Sequence, residues 1–339
     1  MLLPLPRRKF LQTTALAGLG LAASSFTNAF RQKNIRIGII GLDTSHCEAF
    51  TKVINASDKT PEFQGFEVVA AYPYGSKTIE SSASRIPKIT EDIQKYNVKI
   101  TSSIAELLQA CDVVLLETND GRLHLEQATE VIKAGKPVFI DKPIAASLKD
   151  ASAIFATAKK HNVPVFSCSS LRFTPAVQDI AKGKTVGKVL GADVFTPCSI
   201  EKTHPDLFWY GIHGVETLFT ILGKNCKQVT RTHTEETDIV TGVWEDGRIG
   251  TFRGTRNGEH DYGGTAFGEK GNNQFSAYGG YEPLLVEIVK FFKTGTPPVE
   301  ANETIAICAF MEAADESKRL GGKPVEIASI LKKNKVTLL

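Results

Sequence analysis

Residues 35–48, IRIGIIGLDTSHCE, constrain the chain more than any other stretch. Ile35, Ile37, Ile39 and Ile40 form a short β-branched run of the kind needed by a strand buried on both faces. Gly41 ends the run. Ser45 with Glu48 three residues later has the spacing of a capping box, and Phe50, Val53 and Ile54 give the helix that follows an apolar stripe. Strand, tight glycine turn and helix together aim first-turn N–H groups outward, which is the geometry that holds a dinucleotide pyrophosphate.

The glycine pattern is incomplete. A Gly-x-Gly-x-x-Gly fingerprint starting at Gly41 meets Asp43 at its second glycine and His46 at its third. A side chain at the second position crowds the phosphates, and Asp43 repels them unless it turns away or caps the turn. This stretch alone fits either a dinucleotide site or a purely structural strand-to-helix turn.

The pattern continues. Apolar runs at 67–71, 98–101, 112–117, 137–140 and 163–167 alternate with helical stretches, one capped by Ser103 with Glu106, one from His124 to a C-terminal Gly135, one starting at Ser147. This order predicts an α/β fold with a Rossmann-like, doubly wound parallel sheet over residues 34–170. The loop after 67–71 has no acid before Glu80 to meet a ribose, while Ser76 and Lys77 suit a 2′-phosphate or plain solvent; NAD and NADP both fit. Lys142 stands at the end of an apolar strand, where such folds place their ligands, fixed by Pro143.

From residue 171 to 339 the signals change. Strands are predicted at 189–196, 229–234, 239–244, 249–255, 265–268 and 273–277, with Asp246-Gly247 as a hairpin turn. Helices are predicted at 206–222, 281–294 and 303–320. Consecutive hairpins imply a large, mostly antiparallel open sheet, whose uncovered face calls for a homodimer or homotetramer.

A chain of 339 residues exceeds one ordinary core, in keeping with two domains. The formal charge of +3 is accounted for by Arg7, Arg8 and Lys9, in a segment with no acid before residue 30. The remainder is neutral, which gives no reason to expect nucleic acid or an anionic membrane as partner. Residues 1–29 read as a twin-arginine-type signal peptide: Arg7-Arg8-Lys9, a modest apolar run at 15–23, and a small-x-Ala site at Thr27-Asn28-Ala29. The apolar run is short for a bilayer, so stable membrane insertion is not expected. That route delivers a folded, cofactor-loaded protein to the periplasm. Six cysteines are scattered without metal-ligand spacing, and no metal is expected from the sequence.

The motifs in combination resemble the glucose–fructose oxidoreductase, inositol dehydrogenase and rhizopine-catabolism (Gfo/Idh/MocA) family. The matching residues are Gly38 to Gly41, Thr118-Asn119 with His124, Ala134-Gly135-Lys136-Pro137-Val138, and Asp141-Lys142-Pro143 in place of the commoner Glu-Lys-Pro. Arg172-Phe173 with Pro175 fits the start of the family's second domain, and Tyr281-Glu282-Pro283 and Gly321-Gly322-Lys323-Pro324 match its tail. The resemblance implies a substrate-binding and oligomerisation domain over 171–339. It implies cofactor contacts from Gly38, Gly41, Asp43, Ser45, His46, Thr118, Asn119, His124 and Lys142, and substrate contacts from Arg172, Trp209 and Tyr210.

For chemistry the resemblance assigns Lys142 as the catalytic lysine and His213 as the acceptor of a hydroxyl proton. Trp209 occupies the place of the family's supporting carboxylate, with Tyr210, Glu216 and Glu201 as substitutes to consider. The implied activity is hydride transfer between a carbohydrate hydroxyl carbon and a tightly held NAD or NADP. Two alternatives stay open: redox-neutral, NAD-dependent cleavage of a glycoside, and a non-catalytic carbohydrate-binding protein with a decayed cofactor site.

Overall fold

β1 (Ile35–Ile40) occupies the middle of a six-stranded parallel sheet, flanked by β2 (Phe66–Tyr72) on one side and β4 (Val113–Leu116) on the other. The computed structural model describes residues 34–259 and 261–338. The proposed signal peptide lies outside the described residues. β3 (Lys99–Ile100), β5 (Val138–Ile140) and β6 (Val165–Ser167) complete the order β3-β2-β1-β4-β5-β6, the doubly wound arrangement expected from the sequence. Burial on both faces explains the runs: all four residues of β4 are buried, as are the last four of β1.

The crossovers are α1 (Ser45–Ile54), α2 (Glu80–Ala83) with α3 (Ile86–Gln94), α4 (Ile104–Ala110), α5 (His124–Lys133) and α6 (Leu148–His161). Ser103 and Ser147 cap α4 and α6 through their side-chain oxygens, which accept the N–H of Glu106 and of Asp150. α2 and α3 are not expected from the sequence: Pro87 and scattered polar residues hide the stripe made by Ile89 and Ile93.

After α7 (Pro175–Ala181) the chain builds a seven-stranded sheet from β7 (Val189–Pro197), β8 (Cys226–His233), β9 (Thr237–Trp244), β10 (Ile249–Thr255), β11 (Gly263–Gly268), β12 (Gly271–Ser276) and β13 (Val325–Glu326). Its order is β12-β11-β7-β10-β9-β8-β13, and every pairing is antiparallel except β7 with β10. Strict alternation along β9 marks one buried and one open face. α8 (Ile212–Leu222) packs on β7 and β10 on the buried side, with Gly214 pressed against the Phe252 ring. Leu190, Phe195 and Ile249 stay about half exposed.

α9 (Glu282–Thr294) returns to the first sheet. Leu284, Leu285, Ile288, Val289, Phe291 and Phe292 join the cluster built on Ile37, Ile39, Phe50 and Phe166, each worth roughly 1.5–3 kcal/mol on burial. The chain therefore does not leave the first sheet for good at residue 170. α10 (Ala301–Arg319) packs on β8, and α11 (Ile327–Asn334) closes the described chain.

Candidate active site

The carboxyl ends of β1, β4 and β5 open into a cleft of about 270 Å3, whose far wall comes from the second sheet and its helices. Thr44, Ser45 and His46 line it from α1, Asn119 from the turn after β4, Asp141 and Lys142 from the end of β5, and Trp209, Tyr210 and His213 from the opposite wall. Tyr262 and Tyr278 add to the aromatic character of that wall, and Tyr281 adds a ring beside α1. Ser81 and Arg85 reach the rim from the α2–α3 crossover, which sequence reading misses because those helices are missed.

Gly41 has φ +82°, and a Cβ there would sit 2.4 Å from Thr118 Oγ1, so only glycine fits the turn. Gly38 serves packing instead of a cofactor: a Cβ would meet Cys111 and Leu107 at 2.9 Å, so the residue lets α4 approach β1. The expected capping box does not form. Thr44 is the N-cap, it makes no capping bond, and no side chain satisfies the first turn of α1.

Asp43 answers the question posed by the missing glycine. Its carboxylate turns inward and is fully buried, accepting the Ser76 N–H at 2.6 Å and the Asn119 N–H at 2.9 Å. The side chain ties the β2 and β4 turns together and does not project its charge at a ligand. The glycine turn and the uncapped helix fit a pyrophosphate, and Asp43 does not stand in its way.

Three further expected ligand contacts are structural. His124 is fully buried, with Nε2 at 2.6 Å from the Thr118 carbonyl and Nδ1 at 3.0 Å from that of Pro143, so it clamps two turns together instead of meeting a cofactor. Thr118 is itself buried beneath Gly41. Arg172, expected to touch substrate, does not line the cleft: its guanidinium lies between Glu216 and Glu303, at 2.6 Å from each.

Lys142 is buried to all but 8% and its Nζ lies 5.9 Å from the centre of the Tyr210 ring. His213 is buried beside it. Burial, then the charge of Lys142, hold the His213 imidazole well below its ordinary pKa, so the ring is neutral. Its Nδ1 lies 2.7 Å from Ser169 Oγ, and the Ser169 N–H donates to Glu216, also at 2.7 Å. The supporting role expected of a carboxylate thus falls to Ser169, with Glu216 behind it. Ser169 carries no sequence signal that would single it out.

Trp209 and Tyr210 sit in a π-helical turn, Leu207–Gly211, where the sequence predicts uninterrupted α-helix. The wide turn separates their neighbours. Trp209 packs its ring against His204 at 5.1 Å, whereas Tyr210 faces His213 at 5.0 Å and shares a hydrogen bond with the Tyr262 hydroxyl at 3.1 Å.

His46 fills the third glycine position. Its ring stacks on Phe50 and meets the edge of Tyr281, and Nδ1 lies 3.3 Å from both Glu117 Oε2 and Asp141 Oδ1. Burial works against the imidazolium, but the charges of Asp141 and Glu117 outweigh it and hold the pKa up at about 10. Burial pushes Glu117 up to about 7, whereas Asp141 is held below the usual carboxylate range because His46 and Lys142 outweigh its burial. The sequence places these three residues 71 and 24 positions apart along the chain, so no local motif reveals the cluster.

A doubly wound parallel sheet whose strand ends open on a cleft is the frame of a nucleotide-binding fold, here with a lysine at the end of β5 and a buried histidine across the cleft. Residues 35–168 match the Gfo/Idh/MocA family model, described as oxidoreductase family, NAD-binding Rossmann fold, and over this stretch the chain is similar to that family. A myo-inositol dehydrogenase, Hyg17, of Streptomyces leeuwenhoekii is 27% identical over 120 residues, 35% of this chain and 36% of that protein. The dehydrogenase aclE of Aspergillus oryzae is 25% identical over 183 residues, 51% of this chain and 48% of that protein. The chain therefore spans less than half the length of these curated relatives. The solved myo-inositol 2-dehydrogenase of Lactobacillus plantarum superposes with a TM-score of 0.71 at 16% identity, covering 87% of this chain and 99% of that one. An Agrobacterium radiobacter oxidoreductase solved with NAD+, L-tartaric acid and magnesium gives 0.69 at 16% identity, over 88% and 100%. These likenesses carry the fold.

Proposed function

We propose that this protein is an exported, nicotinamide-dependent oxidoreductase that oxidises a hydroxyl carbon of a sugar or sugar derivative. The observation that carries the reading is the meeting of Lys142 and the neutral His213 in one aromatic-walled cleft at the mouth of the uncapped α1. Ser45, His46 and Asn119 line the part of the cleft that faces α1 and the β4 turn, so they and the Gly41 turn would hold the nucleotide. When bound, the nicotinamide supplies the hydride acceptor.

The protein's part is positioning and proton transfer. In the tautomer where Nδ1–H donates to Ser169 Oγ, Nε2 is the basic nitrogen, and Ser169 Oγ is itself pinned as acceptor of the Leu171 N–H. His213 then takes the proton of the substrate hydroxyl as the carbon loses its hydride. The Lys142 ammonium orients the same oxygen and favours its negative charge. Trp209, Tyr210, Tyr262 and Tyr278 offer apolar ring faces, the tyrosines edged with hydroxyls, which suits the C–H faces and hydroxyls of a sugar. Export of the folded, loaded protein to the periplasm accounts for the basic, acid-free leader.

The test is a panel of sugars and polyols incubated with the purified protein and NAD or NADP, following nicotinamide reduction. Turnover of at least one sugar, abolished in Lys142→Ala, is the expected result. Release of free sugar from a glycoside without net nicotinamide reduction would replace this reading with redox-neutral cleavage.

A further inference from the structure

His46, Glu117 and Asp141 raise a problem that nucleotide binding alone does not answer. The Glu117 and Asp141 side chains are fully buried and that of His46 is about nine-tenths buried. His46 Nδ1, both oxygens of Glu117 and both oxygens of Asp141 have no hydrogen-bond partner. The two 3.3 Å contacts from Nδ1 bring opposite charges near each other, but neither has hydrogen-bond alignment. Two buried carboxylates left this way cost several kcal/mol in an ordinary core, so something is expected to meet them.

We propose that this cluster is a divalent cation site, holding an ion such as Zn2+ or Mn2+ through His46 Nδ1 and one oxygen each of Glu117 and Asp141. The three potential ligand atoms lie within 4.8 Å of one another. An ion with bonds of about 2.0–2.1 Å to nitrogen and oxygen separates neighbouring tetrahedral ligands by roughly 3.3–3.4 Å, which is the spacing found from His46 to either carboxylate. One imidazole with two carboxylates is a borderline-to-hard donor set whose charge a dication cancels.

The ligands stand on rigid supports. The Glu117 N–H donates to the Ile40 carbonyl and the Asp141 N–H to the Leu116 carbonyl, both at 2.8 Å, so each carboxylate leaves the sheet from a pinned strand end. Phe50 and Tyr281 fix the His46 ring. Glu117 closes the inner side, whereas His46 and Asp141 face the cleft beside Lys142. Three protein ligands and one open side is the pattern of an ion that binds a water or a substrate oxygen. The site's existence does not rest on the oxidoreductase reading; only the idea that its free position meets a sugar oxygen does.

The test is metal analysis by mass spectrometry of the full chain purified without chelator, followed by calorimetric titration of the chelator-stripped protein with Zn2+ and with Mn2+. The expected result is one ion per chain, and binding weakened by more than about 100-fold in Glu117→Gln and in Asp141→Asn, a larger loss than removal of an outer-sphere partner causes. Circular dichroism checks that both isosteric variants fold, and added metal raises the melting temperature of the wild type but not of the variants. No stoichiometric metal together with no titratable binding would overturn the proposal in favour of an imidazolium held by two carboxylates. Undiminished binding in both variants would overturn it in favour of a site elsewhere. Nucleotide content and NAD or NADP titration are read on the same preparation: metal with neither released nor titratable nucleotide sinks the oxidoreductase reading alone, and nucleotide with neither bound nor titratable metal sinks this one alone.

Discussion

Two of the buried charge clusters among the described residues, one on the second sheet and one beside the cleft, are built to opposite rules. In the second sheet Arg231 is fully buried, with Asp238, Asp315 and Asp206 at 2.7, 2.5 and 2.8 Å from its three nitrogens. Asp238 also receives Arg256 at 2.6 Å and His233 at 2.7 Å. Its charges are answered by opposite charges with hydrogen-bond geometry. In the cleft, His46, Glu117 and Asp141 are equally buried yet leave five polar atoms without a hydrogen bond. A satisfied network holds a fold together, and an unsatisfied one at a cleft marks a place kept for a ligand.

Substitutions can break or sharpen that contrast. The largest effect is expected from Lys142→Ala or His213→Ala, each lowering kcat by about 10²–10⁴-fold, the usual weight of a positioned proton-transfer group, with little change in unfolding free energy. Steady-state kinetics beside denaturant unfolding checks both halves. His213 also sets a pH signature. The base must be unprotonated to work and its pKa is held well below 6.5, so the acid limb of kcat against pH falls well below that value.

Asp238→Ala should do the reverse. It takes a shared carboxylate from the buried Arg231 and the part-buried Arg256 and costs roughly 3–5 kcal/mol of stability, read by denaturant unfolding, without shifting that acid limb. Burial raises the Asp238 pKa, but hydrogen bonds from Arg231 and Arg256 outweigh it and hold the folded value below 3.8. The sign follows: this stabilisation is present above the unfolded carboxylate pKa and is lost as pH falls through the lower folded value. Acid titration of the unfolding free energy should show that loss in the wild type and a flatter curve in Asp238→Ala.

Asp43→Ala lies between the two classes. It frees the N–H groups of Ser76 and Asn119 from their buried acceptor, at an expected cost of about 1–3 kcal/mol, measured as a lowered unfolding midpoint. The smallest effect is expected from Tyr210→Phe, which removes the hydroxyl bond to Tyr262 while keeping the ring over Lys142. The loss is about 0.5–1.5 kcal/mol, appearing as a several-fold rise in KM.

The first sheet is legible because its inner strands are largely apolar runs between turn residues, and its order follows from the alternation with helices. The hairpin signal of Asp246-Gly247 likewise locates β9 and β10. The parallel pairing of β7 with β10 is not legible, since it joins strands about 60 residues apart with no local signature. Lys142 and His213 are legible through motif resemblance, and the structure brings them to one cleft. Ser169, Glu117 and Tyr262 are not, because ordinary residues acquire their roles only through tertiary contact. The turn of Asp43 away from the cleft is equally invisible, as it depends on two backbone N–H groups delivered by distant loops.

The central claim is that the cleft between α1 and the Lys142–His213 pair holds a nicotinamide nucleotide. Gentle purification of the protein, denaturation, and mass spectrometry of the released small molecules test it most directly. The account predicts NAD or NADP in near-stoichiometric amount. A protein that releases no nucleotide, and that binds neither NAD nor NADP on calorimetric titration, would contradict it.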